Sequence, residues 1–333
     1  MRKNEKFAKI LGIGSYVPEK ILTNDDLSKM VDTSDEWILS RTGIRERRIA
    51  ASDQATSDLC VIAARRAIEN AGIDPEKIDL ILVGTITSDL RFPSAAVFIQ
   101  NKLGLKNIPC FDYNVACSGT QYGIGLASSL LTGVGRYENI LLICGDKMTS
   151  VVDWQDRTTC VLLGDGAGAI VFSSVDSEEE NSVIDVLLGA NGGLWDLLMI
   201  PAGGSLEPTS EETLKNRSHF FKMKGKDVFR EAIKVMGACS QEILRRNDMT
   251  VHDVDFVVPH QANRRIIEAL QEKLEIPDEK ICVTVDKYGN TSESSCIIAM
   301  DSLMQAGKMA KGSKILSVGF GAGLTWGAAI LKF

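Results

Sequence analysis

At 333 residues, 44% hydrophobic and 24% charged, the chain has the composition of a soluble globular protein and the length for one large domain or two ordinary ones. Its net charge of −7 argues against general nucleic-acid binding, because phosphate contacts need a basic surface, so an anionic ligand must meet a local basic patch. No apolar run approaches the roughly 18 residues of a membrane span, and the start, Met1-Arg2-Lys3-Asn4-Glu5-Lys6, is charged and unlike a signal segment, so a cytoplasmic protein is expected.

In chain order, a strand-like run at 9–14 comes first, and Gly72-Ile73-Asp74-Pro75-Glu76-Lys77-Ile78-Asp79 then leads into the apolar strand Leu80-Ile81-Leu82-Val83-Gly84. The next strand-like run ends in Asp112-Tyr113-Asn114-Val115-Ala116-Cys117-Ser118-Gly119-Thr120, where small residues open a helix over 119–131 and leave Cys117 at the strand-to-helix junction. Outward-pointing helix amides and the helix dipole favour an anion there. They can lower a cysteine pKa from about 8.5 into a range of roughly 3.5 to 7.5 and make it a nucleophile. Alone, the same cysteine also reads as a small buried core residue. Eight cysteines, at 60, 110, 117, 144, 160, 239, 282 and 296, lie mostly inside apolar runs without paired short spacing, which suits buried thiols and shows no disulfide or zinc framework.

Thr132-Gly133 and a short turn precede Ile140-Leu141-Leu142-Ile143, whose continuous apolar character suggests a sheet covered on both faces. The polar stretch 173–181, with Glu178-Glu179-Glu180, reads as a solvated connector. A second opening strand at 183–189 follows, and 189–217, rich in Gly, Pro, Ser and Thr, reads as loop and insertion.

The second half repeats the first. Asp255 leads Phe256-Val257-Val258-Pro259-His260 as Asp79 leads its strand, 176 residues earlier, and 126–145 matches 300–319 at a shift of 174 to 175. Each half reads strand, helix, strand, helix, strand, so the architecture is duplicated α/β with halves at 1–175 and 176–333. The helices after Cys117 and after Asn290 are rich in Gly, Ala and Ser, which lets backbones approach closely, and form the expected buried pair between two sheets. A shift of 176 takes Gly84 to His260, and one of 174 takes Cys117 to Thr291, next to Asn290. Cysteine, histidine and asparagine then face one another at matching ends of the two halves.

Of the three histidines, only His260 ends an apolar strand; His219 and His252 sit in polar surroundings and read as surface residues. Gly164-Asp165-Gly166-Ala167-Gly168 lacks the lysine of a Walker motif and the spacing of a dinucleotide fingerprint, and it runs into a strand, so it reads as a structural turn.

The set Ala116-Cys117-Ser118-Gly119, Pro259-His260-Gln261-Ala262-Asn263 and Gly289-Asn290-Thr291-Ser292 resembles the thiolase-fold condensing enzymes of the β-ketoacyl-acyl-carrier-protein synthase III family. The likeness extends to Ser34-Asp35-Glu36-Trp37-Ile38, Arg41-Thr42-Gly43-Ile44-Arg45-Glu46-Arg47 and Gly319-Phe320-Gly321-Ala322-Gly323-Leu324-Thr325-Trp326-Gly327. It implies a thiolase-like fold of duplicated βαβαβ halves in a five-layer αβαβα arrangement. The implied activity is a cofactor-independent, homodimeric acyltransferase that starts fatty-acid synthesis from a short acyl-CoA and malonyl-acyl-carrier protein. The resemblance implies Cys117 as nucleophile and His260 and Asn290 as enolate donors, with an oxyanion hole from the amides of Cys117 and Ala322. It also implies CoA or pantetheine contacts from Thr33, Trp37, Arg41, Arg157 and Asn263, and carrier-protein contacts from the segment Gln261, Ala262, Asn263, Arg264 and Arg265. Lys222, Lys224 and Lys226 are further cationic candidates for the carrier protein. For the acyl pocket it implies walls from Leu163 and Phe320 and a floor from Phe92 of the partner subunit. Glu293, Thr158 and Ala322 depart from the residues common at their positions. Two alternatives stay open: a relative with the same triad acting on longer or aromatic acyl groups in secondary metabolism, and a non-catalytic acyl-CoA-binding scaffold.

Overall fold

The computed structural model describes residues 6–133 and 137–333, so the start at 1–5 and the turn residues 134–136 lie outside the described residues. The first half builds a five-stranded sheet in the order Phe7–Tyr16, Gly166–Val175, Asn139–Asp146, Leu80–Gly84, Cys110–Tyr113. The second half builds Val183–Ala190, Thr325–Lys332, Lys314–Gly321, Phe256–Pro259 in the same relative order. In each half an antiparallel strand, Gly166–Val175 or Thr325–Lys332, completes the βαβαβ run. The fifth strand has a vestige in the second half: Val257 makes a single parallel bridge to Ile281 where Ile81 pairs with Cys110.

Strand alternation sorts the apolar residues into layers, because successive side chains point to opposite faces. Leu80, Leu82, Ile140 and Leu142 meet the central helices Gly119–Thr132 and Ser295–Gln305 together with Val258 and Ile315 of the second sheet. Ile81, Val83, Leu141 and Ile143 face outward onto the helices Thr56–Ala71 and Ala95–Leu103. Val257, Leu316 and Val318 face the helices Gly225–Arg246 and Arg264–Leu274 on the other side. Five layers result. Removing one inner side chain, as in Leu82→Ala at a fully buried position, would cost about 2–5 kcal/mol through lost contacts and a cavity.

The repeat is more regular than a shift of 174 at Cys117 implies. Ala116, with φ 48°, and Ser292, with φ 53°, hold the same unusual left-handed backbone 176 residues apart, each opening a short 3-10 turn before a central helix. Cys117 therefore corresponds to Glu293, not Thr291. The discrepancy arises in the connections after the helices: the Asn139–Asp146 and Lys314–Gly321 strands are only 175 apart. The two ends of the 173–181 stretch also differ in kind. Ser173 and Ser174 belong to the sheet, paired with Lys9 and Ala8, while Glu178–Glu180 is exposed. Within 189–217, the two-residue strand Leu198–Met199 pairs with Lys222–Met223, so this insertion carries one wall of the cavity described next.

Candidate active site

Cys117, His260 and Asn290 line one cavity of about 360 Å³, together with Ala322, Asn263, Ala262, Leu163 and Phe320. Most other lining side chains are apolar, among them Met148, Leu198 and Phe221.

Cys117 follows the left-handed Ala116, and such a conformation costs of order 1–3 kcal/mol for a residue with a side chain. Its surroundings hold it there: the hydroxyls of Ser118 and Thr325 both reach the Val115 carbonyl at 2.8 Å and lie 2.8 Å from each other. The Cys117 thiol donates to Ser292 Oγ at 3.7 Å. The Cys117 thiol is not depressed as its helix-terminal position suggests. Burial, aided by the nearby acidic side chains Asp146 and Glu293, pushes Cys117 up to about 12, and the Ser292 contact restrains it only partly. Loss of water around sulfur outweighs the helix dipole.

His260, 2% exposed, directly follows the Phe256–Pro259 strand, and its backbone N–H donates to the Val318 carbonyl at 2.8 Å. Its Nδ1 lies 2.7 Å from Ser295 Oγ, an oxygen that also accepts the Gln261 N–H at 3.3 Å. That contact occupies Nδ1 and leaves Nε2 as the ring nitrogen available to the cavity. Burial pushes His260 down to about 3, so the ring is a neutral donor.

Asn290 is clamped by its backbone: its N–H donates to Leu162 O at 2.8 Å and its carbonyl accepts from Gly164 N–H at 3.0 Å. Asn290 Oδ1 accepts the Ser292 N–H at 2.8 Å, which leaves the Nδ2 donors for the cavity. Of the stretch 164–168, read as a turn, residues 166–168 instead open the Gly166–Val175 strand; just before it, Asp165 bonds to Ala50 and Thr149 and Gly164 holds Asn290. Opposite, Gly321 lies so close to the nucleophile that a methyl there would come within 2.6 Å of the Cys117 nitrogen and 3.0 Å of Ser118's. That approach sets the Gly321-Ala322 backbone beside the Cys117 amide.

The family description 3-oxoacyl-[acyl-carrier-protein] synthase III matches residues 111–192, and its C-terminal counterpart matches residues 244–333. Beta-ketoacyl-[acyl-carrier-protein] synthase III of Caldanaerobacter subterraneus subsp. tengcongensis is 48% identical over 326 residues, covering 98% of both chains. The protein of the same name from Xanthomonas campestris pv. campestris is 46% identical over 327 residues, again 98% of both. The chain belongs to the 3-oxoacyl-[acyl-carrier-protein] synthase III family. It is an acyl-transferring condensing enzyme. The crystal structure of 3-oxoacyl-[acyl-carrier-protein] synthase III from Aquifex aeolicus superposes with a TM-score of 0.89 at 41% identity, covering 98% of this chain and 100% of that one.

Around this synthase III core, the remaining predicted residues fall into three groups. Trp37 carries two guanidinium groups over its ring, Arg157 at 4.6 Å and Arg41 at 5.4 Å. Arg157 also donates to Asp32 O at 2.9 Å, and Thr33 Oγ1 is buried with no hydrogen-bond partner among the described residues. Asn263 links this cluster to the cavity: its Nδ2 donates to Arg41 O at 3.2 Å while its Oδ1 caps the Arg264–Leu274 helix at Arg265 N–H. Arg265 and Lys226 are exposed, and Arg264 pairs with Glu268 at 2.9 Å. Lys222 pairs with Asp153 and Lys224 with Asp196, so both ammonium groups are already engaged.

Two expectations need correction, those for Gln261 and His219. Gln261 cannot meet a carrier protein: it is 1% exposed, donates to Pro259 O and Cys282 O, and accepts from Thr284 and Val285 N–H, bracing the His260 turn. Ala262 faces the cavity. His219 is half-buried, its ring centroid 4.0 Å from that of Phe220 at a tilt of 42°, unlike the exposed His252. Phe92 lies outside the cavity and is 88% exposed. Thr158 is exposed and bonded to Asp156.

The sequence reading missed Ser295, Ser292 and Thr325, each of which orients a reacting group. It also missed Arg47, whose fully buried guanidinium donates to Val161 O, Leu22 O and Asn24 Oδ1 beneath the Asn290 clamp. The recurrence of small hydroxyl residues within three positions of Cys117 and five of Asn290 is the signal that could have pointed to the serines.

Proposed function

We propose that the chain catalyses the initiating condensation of fatty-acid synthesis, joining a short acyl-CoA primer to malonyl-acyl-carrier protein. Cys117 attacks the acyl-CoA thioester, CoA leaves, and the acyl group remains as a thioester on sulfur. Malonyl-acyl-carrier protein then loses carbon dioxide, and the resulting enolate oxygen accepts hydrogen bonds from His260 Nε2 and Asn290 Nδ2. The enolate carbon attacks the acyl-Cys117 carbonyl, whose oxyanion is held by the amides of Cys117 and Ala322. Fixed donors of this kind contribute on the order of 3 kcal/mol each at developing charge. Transfer and condensation as written use no cofactor.

The observation that carries the reading is the orientation of two neutral donors by serines: Ser295 on His260 Nδ1 and the Ser292 N–H on Asn290 Oδ1, in the cavity that Cys117 lines. A site of this kind stabilises an anion without itself taking a proton.

In the same reading Trp37, flanked by Arg41 and Arg157, stacks on the adenine of CoA while the arginines meet its phosphates, and Thr33 and Asn263 serve the pantetheine arm. Arg264, Arg265 and Lys226 receive the acidic carrier protein. Phe92 completes the acyl pocket of a second copy in a cytoplasmic homodimer, beside Leu163 and Phe320 of that copy. Residues 1–175 supply the nucleophile and 176–333 the two donors.

The test is product formation. With acetyl-CoA and malonyl-acyl-carrier protein, mass analysis is expected to find acetoacetyl-carrier protein at a rate dependent on both substrates. Carrier protein that returns only as malonyl or acetyl thioester would contradict the reading.

A further inference from the structure

His260 and Asn290 reach the cavity from different segments. His260 directly follows the Phe256–Pro259 strand, and Asn290 lies beyond the short helix Val285–Tyr288. An enolate oxygen held by both must lie within about 2.7–3.2 Å of each donor at once, so the rate depends on the separation of the two segments.

In the first half the equivalent strands pair without interruption, from Ile81 with Cys110 to Gly84 with Tyr113, and the Thr85 N–H continues the ladder to Tyr113 O at 3.4 Å. The second half begins in the same way: Val257 donates its N–H to Lys280 O at 2.8 Å and accepts the Cys282 N–H at 2.9 Å. The next rung of a parallel pair would take an N–H from residue 259 to Cys282 O, and the Thr284 N–H to the carbonyl of residue 259. The shift of 176 puts Pro259 at the place of Val83, and proline has no N–H to give. Backbone pairing therefore stops before it reaches either donor.

The Gln261 side chain fills the gap. Its Nε2 donates to Pro259 O at 2.7 Å and to Cys282 O at 3.2 Å, and its Oε1 accepts the N–H groups of Thr284 at 2.8 Å and Val285 at 3.1 Å. A carboxamide meets this need because it carries donors and an acceptor on one planar group. Among the described residues no other hydrogen bond joins residues 259–261 to residues 282–285. The Gln261 N–H turns away from the ladder to Ser295 Oγ at 3.3 Å, the hydroxyl that also meets His260 Nδ1. On the other side the Val285 carbonyl accepts the Gly289 N–H at 3.0 Å, and Asn290 follows with its N–H on Leu162 O. One side chain thus connects the residue beside His260 to the start of the helix that leads to Asn290. Gln261 is 1% exposed and does not line the cavity, so it acts without touching the reacting atoms.

We propose that Gln261 is a positioning residue that sets the separation of His260 and Asn290, its carboxamide standing where Pro259 leaves the sheet without a rung. The inference rests on the proposed function, in which those two side chains hold the enolate oxygen. Gln261→Met keeps the side-chain length and removes all four bonds. Gln261→Glu keeps the acceptor for Thr284 and Val285 and turns an oxygen toward the carbonyls of Pro259 and Cys282.

The test separates the two half-reactions. Acetyl-Cys117 is formed from acetyl-CoA, quantified by intact mass and discharged by malonyl-acyl-carrier protein over a range of concentrations, in the parent, Gln261→Met, Gln261→Glu and Leu80→Ala. In both Gln261 variants acylation is expected to stay within about twofold of the parent. Their maximal discharge rate is expected to fall on the order of 10- to 100-fold, with the half-saturating concentration of carrier protein near the parent's. Leu80, 1% exposed and outside the cavity, supplies the control: Leu80→Ala is expected to lower the melting temperature and leave both half-reactions unchanged. In an Asn290→Ala background no separation is left to set, and Gln261→Met is expected to slow discharge by a further factor of about three or less. Parent-like discharge in either folded Gln261 variant overturns the proposal. So does equal loss of acylation and discharge, or the same loss in the Asn290→Ala background as in the parent. Should Gln261→Met fail to fold, Gln261→Glu decides; if neither folds, Gln261 holds the fold and not the donors, and the proposal falls. A parent enzyme whose acetyl adduct malonyl-acyl-carrier protein leaves in place removes the proposed function and this inference together, whereas a parent that discharges normally beside parent-like Gln261 variants removes the inference alone.

Discussion

Ser295 Oγ stands 2.7 Å from His260 Nδ1, and this contact holds the imidazole ring with Nε2 as the nitrogen left for the cavity. The serine sits on the first residue of a central helix and the histidine directly follows a sheet strand, so two elements of the second half together orient the ring.

Ser295→Ala removes that control. Decarboxylation and condensation are expected to fall about tenfold, roughly 1.4 kcal/mol of barrier, while Cys117 acylation stays near its parent rate. Separate assays of acyl transfer and of carbon dioxide release check this; equal loss in both would mean that Ser295 merely supports the fold.

The His260 ring is neutral because it is buried, which has a consequence for pH. Its folded-state pKa, pushed down to about 3, lies below the ordinary 6.5, so the unfolded chain binds the proton more tightly. This group's contribution to stability is present above pH 6.5 and is lost at about 1.4 kcal/mol per unit as pH falls toward 3. Urea unfolding from pH 7.5 to 4.5 should show a slope that His260→Asn flattens.

Glu293 behaves oppositely. It is 1% exposed, neither carboxyl oxygen has a hydrogen-bond partner among the described residues, and burial beside Asp146 and Asp112 raises it well above 4.5. The space it fills depends on two glycines: a methyl on Gly84 or Gly119 would meet Oε2 at 2.3 Å or 2.0 Å. The folded state retains a proton that the unfolded state releases, so the parent loses stability as pH rises above 4.5. Glu293→Gln is therefore expected to gain on the parent by about 1.4 kcal/mol per pH unit above 4.5 until the folded carboxyl ionises. Melting temperatures of the two proteins from pH 5 to 8 measure this; a constant difference would show that Glu293 is already ionised in the fold.

Gly321→Ala places a methyl 2.6 Å from the Cys117 nitrogen and must displace the backbone that faces it. Acylation is expected to slow about 100-fold, as when one oxyanion donor is lost. Single-turnover acyl transfer reads the effect, and Gly307→Ala, in open space but at φ 65°, reports what backbone strain alone does.

Much of this was legible before any coordinates. Continuous apolar strands and small-residue helices recurring at one spacing exposed the duplication, and the duplication brought Cys117, His260 and Asn290 together. The register at the nucleophile was less legible, because connections of unequal length blur the shift by one or two residues; the paired left-handed Ala116 and Ser292 identify Glu293 as its counterpart. The resemblance assigned Gln261 to the carrier-protein segment, whereas the backbone N–H groups of Thr284 and Val285 supply the donors that accompany its burial. The high thiol pKa was hidden for a related reason: a helix terminus is visible in sequence, whereas the enclosure that opposes it is a property of packing.

Intact-mass analysis after acetyl-CoA and then malonyl-acyl-carrier protein tests the central claim most directly. The account predicts one acetyl adduct, mapped to Cys117, absent in Cys117→Ala and discharged when the second substrate is added. His260→Ala should form the same adduct and fail to discharge it. An adduct on another residue, or one that malonyl-acyl-carrier protein leaves untouched in the parent enzyme, would contradict the account.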